Sequence, residues 1–262
     1  MPVNAIAGTA VTAAYNGAVA LEASDFTIPE GRITALIGPN GSGKSTLLGV
    51  IAGLHEPRSG ELVIHPVAGR PRRLAYVFQS TRVNETLPVT VREVVSMGRY
   101  PTTGPRRRFT DEDHRIVDDA LRRMDIEDIA GHHLKELSGG QRQRVFVAQG
   151  LAQDHDVLML DEPLTGLDMP SARAIDAVIH DEHSRGCTVV ITTHDLSEAA
   201  RADHVILLAG RVVANGPPDE VLTDEHLAAA YGPSLLHSDH GVPLIDDPAH
   251  ITPERHRHRD HG

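Results

Sequence analysis

Tryptophan is absent from the 262 residues, aromatic side chains of any kind make up 3%, and Cys187 is the one cysteine. With so few rings, the interior has to be filled by the Val, Leu, Ile and Ala that recur in every apolar run. A single thiol excludes an internal disulfide and a clustered thiolate metal site, and it fits a reducing compartment. No stretch reaches 18 consecutive apolar residues, so nothing reads as a membrane span, and any membrane role has to come through a partner subunit or a surface contact. The opening, Met1 to Gly17, has neither a basic start nor a long apolar core and does not read as a signal peptide. Basic side chains are outnumbered as well. The 25 Lys plus Arg stand against 36 Asp plus Glu, and the net charge of -11 argues against a protein that coats duplex nucleic acid.

What is present is a globular balance, 40% hydrophobic and 23% charged, in a chain long enough for one large α/β domain or a core with a smaller lobe. The apolar patches Val11–Tyr15 and Phe26–Ile28, before the turn at Pro29-Glu30-Gly31, predict antiparallel strands. Ile33–Ile37 predicts a strand ending at Gly38, and Ser45–Ile51 a helix. A strand at Leu74–Phe78 and a helix at Val91–Met97 follow. Residues 99–112, with Pro101, Gly104, Pro105 and Arg106-Arg107-Arg108, read as an exposed connection. Ile116, Val117, Ala120, Leu121 and Met124 then recur at three- and four-residue spacings, which predicts a helix over Asp113–Met124. Another opens at Ser138 and runs through Gln153. Strands at Val157–Leu160, Thr188–Ile191, Val205–Leu208 and Arg211–Ala214 alternate with helices at Ser171–His183 and Ser197–Arg201, the pattern of buried parallel strands with helical crossovers. No internal repeat is found. After about Tyr231 the composition changes to prolines and histidines, His237, His240, His250, His256, His258 and His261 among them, and reads as a flexible tail.

Gly38-Pro39-Asn40-Gly41-Ser42-Gly43-Lys44-Ser45, followed by Thr46, matches the Walker A phosphate-loop pattern between a predicted strand and a predicted helix. Its glycines let the backbone bend tightly and come close to phosphate, so that successive N–H groups can point at negative oxygens. Lys44 adds a mobile positive charge, Ser45 a hydroxyl for Mg2+, and the following helix its positive end. Val157-Leu158-Met159-Leu160-Asp161-Glu162 supplies the acidic end of a hydrophobic strand. Asp161 can hold Mg2+ through water there, and Glu162 can polarise an attacking water. His194 follows another strand, where parallel folds gather their ligand groups, and its imidazole can reach a γ-phosphate. Gln79 can ligate Mg2+ or orient water, though taken alone a solvated glutamine is its default reading. Leu137-Ser138-Gly139-Gly140-Gln141 starts a helix with a capping serine and two glycines, a second place suited to an anion. One chain needs one phosphate-gripping loop, so the second suggests a nucleotide held by another copy.

In this order these motifs resemble the ATP-binding subunits of ABC transporters, over about residues 11–232, and none is missing. The resemblance implies a P-loop NTPase of the ABC ATPase type: a RecA-like core sheet, an N-terminal antiparallel β part and an inserted helical lobe at about 88–153, within an ATPase domain spanning 1–232 and followed by the His-rich tail, 233–262. It implies ATP and Mg2+ as cofactors, with Walker A of one subunit and Ser138 to Gln141 of another enclosing each nucleotide. Tyr15 resembles the aromatic that stacks on adenine, with a strand tyrosine packed beside the sheet as the lesser alternative. By the same resemblance Glu162 is the general base, Lys44 and His194 stabilise phosphoryl charge, and Asp168, after Thr165-Gly166-Leu167, couples the two sites. The implied partners are a second ATPase subunit, a polytopic permease touched by the lobe and, indirectly, an external substrate-binding protein. The implied location is the cytoplasmic face of the membrane.

The wording Tyr76-Val77-Phe78-Gln79-Ser80, Leu87-Pro88-Val89-Thr90-Val91-Arg92-Glu93-Val94-Val95 and Met97-Gly98-Arg99-Tyr100 is similar to the zinc and manganese importer ATPases and, more distantly, to those of iron-siderophore and haem importers. The chain stops about 30 residues past the resemblance, too short for the regulatory β-domain of sugar-importer relatives. A nucleotide-sensing module without turnover, an exporter subunit and a soluble ABC ATPase of nucleic-acid repair are the competing classes. The last lacks its coiled-coil arm and basic surface here, so no nucleic-acid partner is expected.

Overall fold

The computed structural model describes residues 3–15, 18–78, 88–103, 108–232, 235–237 and 243–245. Strands β1 (Asn4–Tyr15) and β2 (Ala18–Pro29) pair antiparallel, and β1 also pairs with β4 (Ser59–Ile64), giving a sheet of order β2-β1-β4. The main sheet has the order β5-β6-β7-β3-β8-β9, from β3 (Ile33–Ile37), β5 (Leu74–Val77), β6 (Val157–Leu160), β7 (Thr188–Thr193), β8 (His204–Leu208) and β9 (Val212–Gly216). All its pairings are parallel except β8 with β9.

Strand periodicity divides the interior in two. Ala35 and Ile37, Leu158 and Leu160, and Val189 and Ile191 face the helices on one side of the sheet. Leu36, Val157, Met159 and Val190 face the other side, where Ile6, Leu21, Phe26 and Ile28 of the antiparallel sheet and Leu47, Leu48 and Ile51 of α1 (Lys44–Ile51) complete a second core. Strands buried on both faces are predominantly apolar: β6 is wholly so, while β3 and β7 admit only threonines among their buried residues.

The inserted lobe contains α2 (Val91–Met97), α3 (Tyr100–Thr103), α4 (Asp111–Arg123) and α5 (Gly139–Leu151), with α2, α4 and α5 packed on one another. Each long lobe helix starts at a reciprocal capping box: Thr90 with Glu93, Thr110 with Asp113, and Ser138 with Gln141. Helix α6 (Met169–Ser184) begins at Asp168 and crosses back to β7. Helices α7 (Leu196–Ala200), α8 (Pro218–Val221) and α9 (Asp224–Tyr231) finish the domain.

Three expectations change. Residues 99–112 are not simply an exposed connection: Arg99 and Asp113 are buried, Arg99 Nε donates to Asp113 Oδ1 at 3.0 Å, and Arg99 Nη1 donates to Ala152 O at 3.0 Å. An isolated arginine invites a surface reading because the partner that neutralises it lies on another helix. Strand β4 was not expected. It is mostly exposed, and its register comes from β1 rather than from an apolar pattern of its own. Inside the expected tail, β10 (Leu235–His237) and β11 (Pro243–Ile245) pair antiparallel; its remaining residues lie outside the described ones.

Candidate active site

The loop Gly38–Ser45 leaves the carboxyl end of β3 and closes against the body of the protein so tightly that side chains are excluded. A Cβ at Gly38 would stand 2.1 Å from Leu208 O and 2.7 Å from Ser42 Oγ. One at Gly43, whose φ is +100°, would stand 2.7 Å from Ala20 O, whereas Gly41, at φ +79°, has open space around its Cβ direction. The loop is therefore fastened on one side and free on the other, a backbone cradle that a bulky anion fits. Ser42 Oγ is buried without a hydrogen-bond partner among the described residues. Ser42 is pinned through its backbone instead, with its N–H on Pro39 O at 3.1 Å and its C=O accepting from Gly210 N at 3.0 Å.

Lys44, the first residue of α1, is buried, and its Nζ donates to Gly38 O at 2.8 Å and to Pro39 O at 3.2 Å, lying across the loop. Burial lowers its pKa, while the nearby Glu162 and Asp161 carboxylates pull it the other way. Lysine and both acids thus share one electrostatic neighbourhood. The next residue, Ser45, is exposed, and Thr46 is half-buried.

Strands β6 and β7 lie between β5 and β3 in the sheet, so their carboxyl ends open beside the loop. Asp161 is buried. Its Oδ1 accepts from Thr192 Oγ1 at 2.6 Å, and its Oδ2 accepts from Tyr76 OH at 3.2 Å. These two bonds orient the carboxylate and leave its remaining lone pairs for Mg2+ or a water between them. Glu162 leaves the strand at φ +47°, a conformation uncommon for a side-chain-bearing residue, and its N–H is held by Thr192 Oγ1 at 2.7 Å. His194, exposed, follows β7 directly. The turn there is held by Asp195 N on Thr193 Oγ1 at 2.9 Å and by Thr193 Oγ1 on Glu198 Oε2 at 2.6 Å.

The second anion-suited loop belongs to the lobe. Gln141 N donates to Ser138 Oγ at 3.2 Å, and Ser138 N donates to Gln141 Oε1 at 2.9 Å, so both side chains serve the helix start itself. Gly139 is exposed. Gly140 is buried, and a Cβ there would stand 2.6 Å from Ser171 Oγ and 3.1 Å from Asp168 Oδ2. Asp168 in turn caps α6 through Ser171 N at 2.8 Å, and the hydrogen bonds from Ser171 hold its carboxyl below the usual range.

The structure therefore gathers Lys44, Asp161 and Glu162, sets Ser45 and His194 on the same edge of the sheet, and brings Asp168 against the Ser138–Gln141 turn. Gln79 lies outside the described residues, and of Tyr15 only the backbone, at the end of β1, is described. Sequence reasoning missed Thr192, which joins both acids. A threonine amid the buried run Val189-Val190-Ile191 was the available sign, since a buried hydroxyl needs a partner.

The ABC transporter family model matches residues 21–165. Loop, acidic strand end and signature turn, set on this sheet order, define a P-loop ATPase, and the chain belongs to the ABC transporter family as an ATP-binding subunit. It is 37% identical over 225 residues to the manganese transport system ATP-binding protein MntB of Listeria innocua, covering 85% of this chain and 94% of that one. It is 40% identical over 225 residues to the zinc transport system ATP-binding protein TroB of Treponema pallidum, covering 85% of each. The petrobactin import ATP-binding protein YclP of Bacillus subtilis is 37% identical over 231 residues, or 84% of this chain and 90% of that one. Among solved structures, a metal-chelate type ABC transporter in an inward-facing conformation superposes with a TM-score of 0.78 at 25% identity, over 93% of this chain and 98% of that one. The dimeric post-hydrolysis state of the cassette MJ0796 with ADP and Pi superposes at 0.70 and 27% identity, over 81% and 98%.

Proposed function

We propose that this chain is the ATP-hydrolysing subunit of an importer for a divalent metal ion, zinc or manganese. The observation that carries the hydrolytic part is the convergence of Lys44, Asp161 and Glu162 at the carboxyl ends of neighbouring strands, with Thr192 bonded to both acidic residues. Manganese and zinc transport ATPases among the relatives, at 37% and 40% identity, support the cargo. The petrobactin relative favours iron-chelate import as the second reading.

In this reading the glycine loop wraps the triphosphate, and Lys44 turns from the loop carbonyls to the outer phosphates. Ser45 and Asp161 hold Mg2+, with Gln79 as a further ligand. Held there, the ion would supply positive charge against the charge developing on the phosphate oxygens. Glu162 takes the proton from the attacking water, and His194 holds the γ-phosphate edge from the end of β7. Tyr15 stacks on the adenine.

Ser138 to Gln141 of a second, identical chain close over the same nucleotide, and Asp168, seated against that turn, relays the state of one site to the other. Hydrolysis removes the shared triphosphate and lets the pair open. No described helix is long and apolar enough to cross a membrane. Movement is therefore passed to permease subunits through the lobe, at the cytoplasmic face, while an external binding protein delivers the cargo to the permease.

The test is Glu162→Gln in the complex with its permease. ATP binding and ATP-dependent dimerisation persist, while turnover falls to background and cellular uptake of zinc or manganese falls with it. Undiminished turnover overturns the hydrolytic assignment. Uptake of both metals independent of this subunit overturns the cargo.

A further inference from the structure

At the opposite edge of the same strands, three groups with metal-binding chemistry come together without any part in ATP hydrolysis. His155 precedes β6, Cys187 precedes β7, and Glu182 lies in the last turn of α6. A ring nitrogen of His155, a carboxylate oxygen of Glu182 and Cys187 Sγ all lie within 4.8 Å of one another. We propose that His155, Glu182 and Cys187 form a binding site for a thiophilic divalent cation of the zinc type.

The donors suit such an ion. Imidazole nitrogen, thiolate sulfur and carboxylate oxygen bind Zn2+ at about 2.0–2.3 Å in tetrahedral geometry, which sets ligand atoms roughly 3.3–3.7 Å apart. Rotamer adjustments of about an ångström close the difference. Hard cations such as Mg2+ and Ca2+ prefer sets made of oxygen alone.

The surroundings suit it as well. His155 Nδ1 lies 2.8 Å from Gln153 O, which fixes the ring and leaves Nε2, 3.2 Å from Glu182 Oε2, facing the cluster. A metal-bound histidine usually has its other nitrogen held in this way. Arg123 of α4 grips Glu182 through Oε1, keeping Oε2 turned towards the histidine and thiol. A surface cavity of about 600 Å3 is lined in part by His155, Glu182 and Arg123 and gives an ion an approach from that side. Ion binding releases the thiol proton, and it does so where the lobe, through Arg123, meets the core. The site does not depend on the identity of the cargo.

Because Cys187 is the one cysteine, a single spectroscopic signal reports this site alone. Titrating the reduced, metal-free full chain with Co2+ is expected to give a near-ultraviolet thiolate-to-cobalt band that saturates at one ion per chain and is discharged by one equivalent of Zn2+. His155→Ala and Glu182→Gln keep the thiol, and each is expected to weaken the band's midpoint at least tenfold. Cys187→Ser is expected to abolish the band while leaving any binding by the tail histidines. Absence of the band in the folded parent protein overturns the proposal. So does a band whose midpoint is indifferent to both His155 and Glu182 substitutions when circular dichroism shows the variants folded.

Discussion

The nucleotide edge and the seam of the helical lobe are both built from charged side chains set against apolar cores, yet they use their polar groups in opposite ways. In the lobe seam, Asp113 accepts from Arg99, from Thr110 N at 2.9 Å and from Thr110 Oγ1 at 2.8 Å, while Arg99 also reaches Ala152 O. At the nucleotide edge, Ser42 Oγ is buried without a partner, Glu162 sits at φ +47°, and the Lys44 ammonium rests on loop carbonyls. The lobe seam satisfies its charges internally and so stabilises the fold. The nucleotide edge retains strain and unsatisfied polarity that a triphosphate can relieve. Where a protein binds a highly charged ligand, its own structure holds those groups at a cost in stability.

The largest effect on that contrast comes from Glu162→Gln, which removes the proposed general base while keeping shape. Turnover should fall by about 10²–10⁴-fold, with little change in melting temperature, in a malachite-green phosphate assay paired with calorimetry. A stability loss as large as the activity loss would erase the distinction between the two regions.

Next is Arg99→Met in the lobe. It leaves the buried Asp113 without its cation and is expected to lower Tm by at least about 5 °C while intrinsic ATP binding is retained. Acid probes the same seam. Hydrogen bonds from Thr110, joined by Arg99, hold the Asp113 carboxyl at about 2 against burial, below its ordinary 3.8. A depressed pKa contributes stability above the unfolded value that is lost as pH falls. The seam should therefore weaken between roughly pH 4 and pH 2, and the Arg99→Met protein should show a shallower acid dependence in that window.

A smaller change is expected from Gly38→Ala, whose methyl group would collide with Leu208 O and Ser42 Oγ. Overpacking of this kind costs about 1–3 kcal/mol, and ATP affinity should fall alongside it, measured by a fluorescent nucleotide analogue. The smallest loss of stability is expected for Ser138→Ala, where one helix cap is worth about 1 kcal/mol. If the second subunit's turn completes the site, that modest change should be accompanied by a clear loss of turnover in the assembled pair. Equal turnover would confine Ser138 to capping.

Legibility in the sequence followed the same division. Strands Ile33–Ile37 and Val157–Leu160 and helix Val91–Met97 have the bounds their patterns predicted, because burial on both faces, or a capping box ahead of an apolar run, is a local signal. The glycine loop, the acidic strand end and the signature turn were legible for a related reason. Phosphate contact requires particular residue types at short, fixed spacings. Strand β4 and the Arg99–Asp113 pair were not, since one takes its place from a neighbouring strand and the other from a separate helix.

The order of residues along the chain was thus enough to determine the kind of ATPase and to propose the groups that grip a triphosphate. The tertiary structure decided which of those groups meet. Neighbouring positions in the parallel sheet set Asp161 and Glu162 beside Lys44, and one buried hydroxyl, Thr192, ties the two acidic residues together. It also decided that His155, Glu182 and Cys187 share the other edge. Separated along the chain, they are neighbours only because parallel strands bring successive crossovers back to the same end of the sheet.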